Sequence, residues 1–154
     1  AGLKELNRQH PNICLLKGEG PATYVQQLLD DTDGAFDIFG GFAGIQLPDT
    51  LRAGAVGMIP APDLFDPQVR IYELMRSGTP ENAAEAERIH RELLPLIVFM
   101  MSSVGNFIAY GKQLLAQRLG LRNGAACQPS IPVTDFGLEV MAPWAKHLGP
   151  LPGA

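Results

Sequence analysis

Three short apolar runs alternate with helical segments in the first part of the chain. They cover residues 13–17 (ICLLK), 36–40 (FDIFG) and 56–61 (VGMIPA). Each is rich in Ile, Leu, Val, Met or Phe and is bounded by Gly or Pro, which is typical of buried strands. Each interval between the runs is long enough for one helix. The pattern therefore predicts a βαβαβ arrangement of parallel strands with both faces covered.

Helical periodicity fills both intervals. Residues 21–29 place Pro21 at a first helical position after Gly20, and residues 47–53 form a shorter helix that stops before Gly54. Beyond the third run the pattern is helical throughout, with Asp63 and Asp66 as turn and cap residues. The predicted helices there cover residues 66–75, 80–100, 104–119 and 134–147, with a kink expected at Pro95 and a turn-rich linker over 120–132.

This organisation divides the chain into βα units over residues 1–78 and a helical extension over residues 79–154. Three parallel strands leave two bare sheet edges, and strands of the buried type aggregate when their edges are exposed. We therefore expect these residues to belong to a larger sheet or barrel, as a fragment of a longer chain or as one piece that needs a partner.

Composition excludes several classes of function. The 154 residues include 46% hydrophobic residues, within the usual globular range, and 18% charged residues, somewhat below it, which indicates an ordered domain with a core. The net charge is −4 without a basic cluster, so nucleic acid is not an expected partner. The longest apolar stretch, residues 93–101, is too short to span a membrane, and residues 1–12 lack the apolar region of a signal peptide. Cys14 and Cys127 have no metal or redox spacing; a buried, reduced Cys14 fits a cytoplasmic location.

Lys17 is the charged residue that the strand pattern does not explain. It shares a strand face with Ile13 and Leu15 and lies at the carboxyl end of the strand, where parallel α/β folds place their active sites. Burial would lower the pKa of the ammonium group, and the neutral amine is a nucleophile that forms Schiff bases with carbonyl groups. The alternative is a lysine that extends into solvent.

The other candidate groups carry weaker signals. Glu19 is either an acid–base group or a salt-bridge partner of Lys17. Residues 39–44 (FGGFAG) lack the Lys-Ser/Thr of a phosphate-binding loop, so their glycines are expected to bring the backbone close to a small ligand or a neighbouring strand. His10, His90 and His147 are scattered, and no metal site is expected.

The order of these motifs resembles the carboxyl-terminal half of the dihydrodipicolinate synthase / N-acetylneuraminate lyase family. The resemblance rests on HPNICLLKGEGP (10–21), FDIFGGFAGIQLPDTLRAGAVGMIPA (36–61) and ELLPLI (92–97), and it covers about residues 10–120. It implies an α/β fold made of strands six to eight of a (β/α)₈ TIM barrel and a carboxyl-terminal helical extension.

The resemblance also implies a chemistry and its residues. Lys17 would be the Schiff-base lysine of a class I aldolase or dehydratase that acts on pyruvate or a small 2-keto acid. Gly40 and Gly41 would end strand seven, and Ile59 would line the keto-acid pocket through its backbone carbonyl, with Glu19 as a further substrate-binding residue. No metal or organic cofactor would be needed, and a homotetramer or homodimer is expected.

Departures from the family pattern narrow the expected substrate and reaction. The bend at residues 17–21 reads Lys-Gly-Glu-Gly-Pro instead of Lys-(Glu/Asp)-Ala-Thr-Gly, which is closer to the sugar-acid dehydratases such as 2-keto-3-deoxy-arabonate dehydratase. The family's proton-relay tyrosine and carboxylate-binding Thr-Thr come from strands four and five, and the helical Tyr24 and Tyr110 do not replace them. We expect this chain to be inactive without the amino-terminal half of the barrel. The alternative is a catalytically silent family member that binds a ligand or acts as a scaffold.

Overall fold

A computed structural model describes residues 2–122, 124–125, 127 and 130–153. Three strands, seven α-helices and two short 3₁₀ helices are found in this part of the chain. The strands are β1 (Leu15–Gly18), β2 (Asp37–Gly40) and β3 (Gly57–Met58). The helices are α1 (Gly2–Gln9), α2 (Ala22–Thr32), α3 (Leu47–Arg52), α4 (Phe65–Arg76), α5 (Pro80–Met100), α6 (Val104–Arg118) and α7 (Asp135–Leu148).

The three strands form one parallel sheet in the order β1-β2-β3. In its register Lys17 lies opposite Phe39, and Phe39 lies opposite Gly57. Helices α2 and α3 occupy the two connections between the strands, as parallel pairing requires. The predicted βαβαβ arrangement is confirmed.

One face of the sheet packs against α2. Val25 and Ile38 are fully buried there, with Leu28, Phe36 and Ala55 around them. A β-carbon on Gly18 would lie 3.1 Å from Val25 Cγ2, so the helix sits close against the end of β1. Burying side chains of this size contributes about 1.5–3 kcal/mol each. This packing leaves the opposite sheet face, which carries Lys17 and Phe39, free to form a cavity.

The chain divides into two compact units. One consists of Ala1–Pro60 with Pro67–Arg91, and the other of Ala61–Asp66 with Glu92–Ala154. The predicted division between residues 1–78 and 79–154 stays a prediction, because compactness alone does not test where a barrel ends and its extension begins.

Arg118 organises the second unit. Its guanidinium donates two hydrogen bonds of 2.7 Å to the carboxylate of Asp66 and one of 2.7 Å to the backbone carbonyl of Asp63. Its Nε donates to the carbonyl of Gly149, just beyond α7, at 2.9 Å. The side chain of Arg118 is completely buried. A buried guanidinium is stable only when its donors are satisfied in this way.

Several local expectations are corrected. Cys14 is exposed instead of buried, because the strand begins only at Leu15 and Cys14 lies before it at the sheet edge. Helix α4 begins at Phe65 after a 3₁₀ turn, so Asp66 lies inside the helix, where it pairs with Arg118. The segment of residues 2–9 is helical, which its polar character did not indicate.

The observed lengths of two other elements can be compared with the predicted ones. The strand β3 contains only two residues and ends before Pro60, so it is shorter than the predicted run of residues 56–61. Helix α5 continues through Pro95 to Met100. Part of the predicted linker over residues 120–132 lies outside the described residues. Within the described part, no helix combines the length and apolar character needed to cross a membrane.

Candidate active site

Lys17 lies at the carboxyl end of β1 and lines an open cavity. The cavity has a volume of about 360 Å³, and its walls are Leu15, Leu16, Phe39 and Ile59 together with Lys17. The three strands contribute to it because Lys17 and Phe39 are paired in register and Ile59 directly follows β3. Lys17 is thereby the one charged residue among the described residues in the wall of this otherwise apolar cavity.

Glu19 holds the amine of Lys17. The Nζ atom of Lys17 lies 2.5 Å from Oε2 of Glu19, and Oε1 of Glu19 accepts a 2.6 Å hydrogen bond from the backbone N–H of Phe42. Both side chains are about half exposed, at 44% and 51%. Lys17 is therefore not enclosed in a packed interior. It lines the cavity and keeps part of its side chain in solvent, which combines two of the positions that the sequence left open.

The pKa of Glu19 reflects opposing effects. Partial burial raises it, but the hydrogen bonds from Lys17 and from the Phe42 N–H, with the positive charge of Lys17, outweigh burial and hold the pKa below its ordinary value. Glu19 is consequently ionised at neutral pH. The resting site contains a carboxylate that stabilises a positive charge on the nitrogen of Lys17.

The two glycines of the predicted site face different neighbours. A β-carbon on Gly41 would collide with Oε2 of Glu19 and would lie 2.7 Å from Cε of Lys17. A β-carbon on Gly40 would instead lie 2.6 Å from Cγ2 of Thr50 in α3. Gly41 thus leaves room for the Lys17–Glu19 pair, whereas Gly40 allows close packing of a helix.

Ile59 borders the same cavity. Its N–H donates a 2.9 Å hydrogen bond to the carbonyl of Gly40, which fixes the chain beyond β3 beside β2. Its side chain is 46% exposed. The role expected for its carbonyl stays a prediction. Lys17 and Ile59 line this cavity, Glu19 pairs with Lys17, and Gly41 lies against that pair, whereas Gly40 faces α3.

The loop of residues 41–45 follows β2 and was seen in the sequence only as a glycine-rich stretch. Phe42 and Ala43 adopt positive φ angles of 57° and 51°. This left-handed conformation costs roughly 1–2 kcal/mol for each non-glycine residue. Nε2 of Gln68 donates to the carbonyl of Ala43 at 2.9 Å, and Nε2 of His90 lies 3.0 Å from the carbonyl of Gly44.

Gln68 and His90 were missed as site residues. Sequence reasoning weighed His90 only as a metal ligand, and nothing in the pattern of α4 marked Gln68. A nearby cavity of about 200 Å³ is bordered by Phe39, Gln68 and Tyr72 among others. Over the described ranges, no group of three or more His, Cys, Asp or Glu side chains is arranged to hold a metal ion.

Tyr24 and Tyr110 do not line the cavity that contains Lys17. Tyr24 lies on α2 and is 44% exposed. Tyr110 lies on α6, where its hydroxyl is 3.1 Å from that of Thr134 and accepts a hydrogen bond from the Thr134 N–H. Tyr110 is thus tied to the start of α7.

Comparisons with known proteins give matches among solved structures. No family model matches the chain, and no curated protein matches it significantly. The 4-hydroxy-tetrahydrodipicolinate synthase of Methylacidiphilum fumariolicum SolV is 28% identical with a TM-score of 0.76, covering 94% of this chain and 48% of that one. The sialic acid aldolase of Ruminococcus gnavus is 24% identical with a TM-score of 0.76, covering 94% and 47%.

The dihydrodipicolinate synthase of Rhodopseudomonas palustris is 23% identical with a TM-score of 0.73, covering 86% of this chain and 44% of that one. The chain therefore spans about half the length of the solved structures that it matches. Together, the parallel βαβαβ sheet, the helices beyond it and these likenesses show that the chain matches part of a (β/α)₈ barrel of the dihydrodipicolinate synthase / N-acetylneuraminate lyase family.

Proposed function

We propose that this chain provides the Schiff-base lysine, Lys17, of a lyase that acts on pyruvate or a small 2-keto acid. The observation that carries the proposal is that Lys17 lines an apolar cavity while its amine lies beside the ionised Glu19. The similar sialic acid aldolase was solved as a catalytic lysine mutant, so a lysine is catalytic in that protein. A lysine at a strand end beside a cavity supports the same role here.

The proposed reaction begins with imine formation. The neutral amine of Lys17 attacks the keto carbon of the substrate and forms a C–N bond. The C–O bond then breaks, and the keto oxygen leaves as water with one proton from the amine and one from a proton donor of the other half of the barrel. The product is a positively charged iminium, which accepts the electron pair released when a C–C bond breaks or a proton is lost. Hydrolysis then releases the product and restores the amine.

Glu19 supports this sequence in two ways. Its carboxylate lies beside the nitrogen of Lys17, where it stabilises the positive charge of the iminium. Because both its oxygens are engaged, by Lys17 and by the Phe42 N–H, the carboxylate is held in place before the substrate arrives. Gly41 leaves the space in which this pair lies.

The motif of the bend favours a sugar-derived acid as the substrate. Residues 17–21 read Lys-Gly-Glu-Gly-Pro, so we propose dehydration or aldol cleavage of a 2-keto-3-deoxy sugar acid in preference to a synthase reaction. The imine itself requires no metal or organic cofactor. Proton relay and carboxylate binding are assigned to the other half of the barrel, and the active form is proposed to be a cytoplasmic homo-oligomer of complete barrels.

The test uses a complete barrel that contains this chain. Release of pyruvate or loss of water is measured with a panel of 2-keto-3-deoxy sugar acids and with N-acetylneuraminate. We expect turnover of at least one substrate, complete loss in Lys17→Arg, and normal activity in the matched Lys4→Arg variant on α1. Equal activity of the Lys17→Arg and Lys4→Arg variants would contradict the proposal. Absence of turnover together with tight binding of a keto acid would favour the catalytically silent alternative.

A further inference from the structure

We propose that Gln68 and His90 are positioning residues of the Lys17–Glu19 pair, and that they act through the loop of residues 41–45. Neither residue takes part in the proposed imine chemistry. They belong to α4 and α5, and each reaches the loop with a single side-chain nitrogen. The catalytic meaning of this inference rests on the proposed function, but its structural content does not.

The loop needs external support to keep its shape. Phe42 and Ala43 are consecutive non-glycine residues with positive φ, at 57° and 51°. Such a conformation is unfavourable for residues with a β-carbon and persists only where the surroundings fix it. Gly44, with φ 75°, continues the same left-handed course.

Two buried side chains provide this support. The amide of Gln68 donates to the carbonyl of Ala43, and the Nε2–H of His90 donates to the carbonyl of Gly44. Gln68 is 5% exposed and His90 is 9% exposed. In the described part of the chain, Oε1 of Gln68 is buried without a hydrogen-bond partner. A buried amide oxygen without a partner is costly, whereas the donor half of the same amide is satisfied by the loop.

The shape of the loop determines where the Phe42 N–H points. This N–H donates to Oε1 of Glu19 at 2.6 Å, while Oε2 of the same carboxylate holds Nζ of Lys17 at 2.5 Å. A loop that relaxed to negative φ at residues 42 and 43 would withdraw the N–H. Glu19 would then lose one of its two fixed contacts, and its position relative to the amine of Lys17 would no longer be set.

The experiment follows the carboxyl carbon of Glu19 by NMR during a pH titration of an isotopically labelled complete barrel that contains this chain. The variants are Gln68→Met and His90→Met, which remove the donors, and His90→Gln, which keeps a donor at a similar distance. Gln27→Met, at an exposed position of α2, is the matched control. We expect Gln68→Met and His90→Met to raise the pKa of Glu19 toward its ordinary value of 4.5, because the Phe42 N–H is lost. His90→Gln and Gln27→Met should titrate like the parent chain.

A second substitution separates positioning from general stability. Glycine adopts positive φ freely, so Ala43→Gly in the Gln68→Met background should return the pKa of Glu19 toward its parent value. Ala43→Gly alone should leave that pKa unchanged, and it keeps the inference testable where a donor-free variant does not fold. Urea midpoints are measured for every variant.

An unchanged titration of Glu19 in both donor-free variants, with or without a loss of stability, would overturn the inference. Failure of Ala43→Gly to restore the pKa would also overturn it. These results are distinct from a failure of the proposed function. A complete barrel that forms no adduct with pyruvate would remove that function, while the dependence of Glu19 on Gln68 and His90 would still be observed.

Discussion

At the scale of single residues, the adjacent glycines at the end of β2 predict opposite responses to the same substitution. Gly41→Ala places a methyl group against the flexible ends of Lys17 and Glu19, which can move aside at small cost in stability. Gly40→Ala places it against Thr50 in a packed helix, where accommodation costs about 1–3 kcal/mol. We therefore expect Gly41→Ala to slow pyruvate trapping by about tenfold while leaving the urea midpoint nearly unchanged.

Gly40→Ala is the internal comparison for this prediction. It should lower the midpoint of urea unfolding and leave the trapping rate of the folded protein close to that of the parent. Equal trapping rates in the Gly41→Ala variant and the parent would show that the space beside Lys17 is not needed for the reaction.

Asp63 is a buried carboxyl group with an unusual titration. It is 2% exposed, and Oδ2 has no hydrogen-bond partner in the described part of the chain. Burial raises its pKa from 3.8 to about 6, although its own backbone N–H and the charge of Arg118 act in the opposite direction. The folded state therefore binds more protons than the unfolded state between these two values. The contribution of Asp63 to stability is greatest below pH 3.8 and falls as the pH rises through about 6.

The fall in stability with rising pH gives a prediction for Asp63→Asn. The variant should match the parent near pH 4 and exceed it at pH 7 by up to about 3 kcal/mol, because the cost of ionising a buried group is absent. Urea unfolding at several pH values measures the difference, with Glu139→Gln on the exposed face of α7 as the control. A difference that does not vary between pH 4 and pH 7 would contradict the assignment.

The single residue Lys17 could be found from the sequence because a charge at the end of an apolar run is conspicuous. Glu19 could be found for the same reason, since it is two positions away. Gln68 and His90 could not be found, because they reach the loop from helices that lie far along the chain. The sequence left open whether Lys17 is buried or extends into solvent, since that depends on which elements cover β1.

At the scale of elements, Arg118 connects α6 to the start of α4 and to the end of α7. Its removal leaves the Asp66 carboxylate and the carbonyls of Asp63 and Gly149 without their donor. Breaking a buried ion pair from one side costs about 3–5 kcal/mol. We expect Arg118→Met to lower the free energy of unfolding by this amount.

Arg118→Lys should recover only part of the loss, because an ammonium cannot make the two parallel bonds to Asp66. Thermal unfolding of Arg118→Met, Arg118→Lys and the exposed Arg122→Met measures the order of stability. Equal stability of Arg118→Met and Arg122→Met would show that the buried guanidinium does not support these helices.

Element types followed from the sequence more readily than element ends. The three apolar runs became strands because their period and their Gly and Pro boundaries agree with tertiary packing. The observed ends differ from the predicted ones where pairing with a neighbouring strand sets the length. The strand β3, for example, is two residues long and stops before Pro60. Helix α1 was not recognised because most of its residues are polar and none is fully buried, although Leu3 packs against the core.

At the scale of the whole molecule, the chain spans about half the length of the structures that it matches. In the described sheet, β1 is an edge strand, and its Leu15 is 60% exposed. An exposed apolar edge strand promotes association with other strands. We therefore expect the 154-residue chain to self-associate in a concentration-dependent way.

Analytical ultracentrifugation measures this association. Leu15→Glu should shift the equilibrium toward the monomer, whereas Leu6→Glu on the exposed helix α1 should not. A chain that remains monomeric at all concentrations would contradict the expectation that it associates through the exposed edge of β1.

The most direct test of the central claim is borohydride trapping with pyruvate in a complete barrel that contains this chain. The chain has four lysines, Lys4, Lys17, Lys112 and Lys146, so peptide mass spectrometry can locate any reduced adduct. The account predicts one stable adduct, on the peptide that carries Lys17, and none in Lys17→Arg. An adduct spread evenly over the four lysines, or no adduct on the Lys17 peptide, would contradict the assignment of Lys17 as the Schiff-base residue.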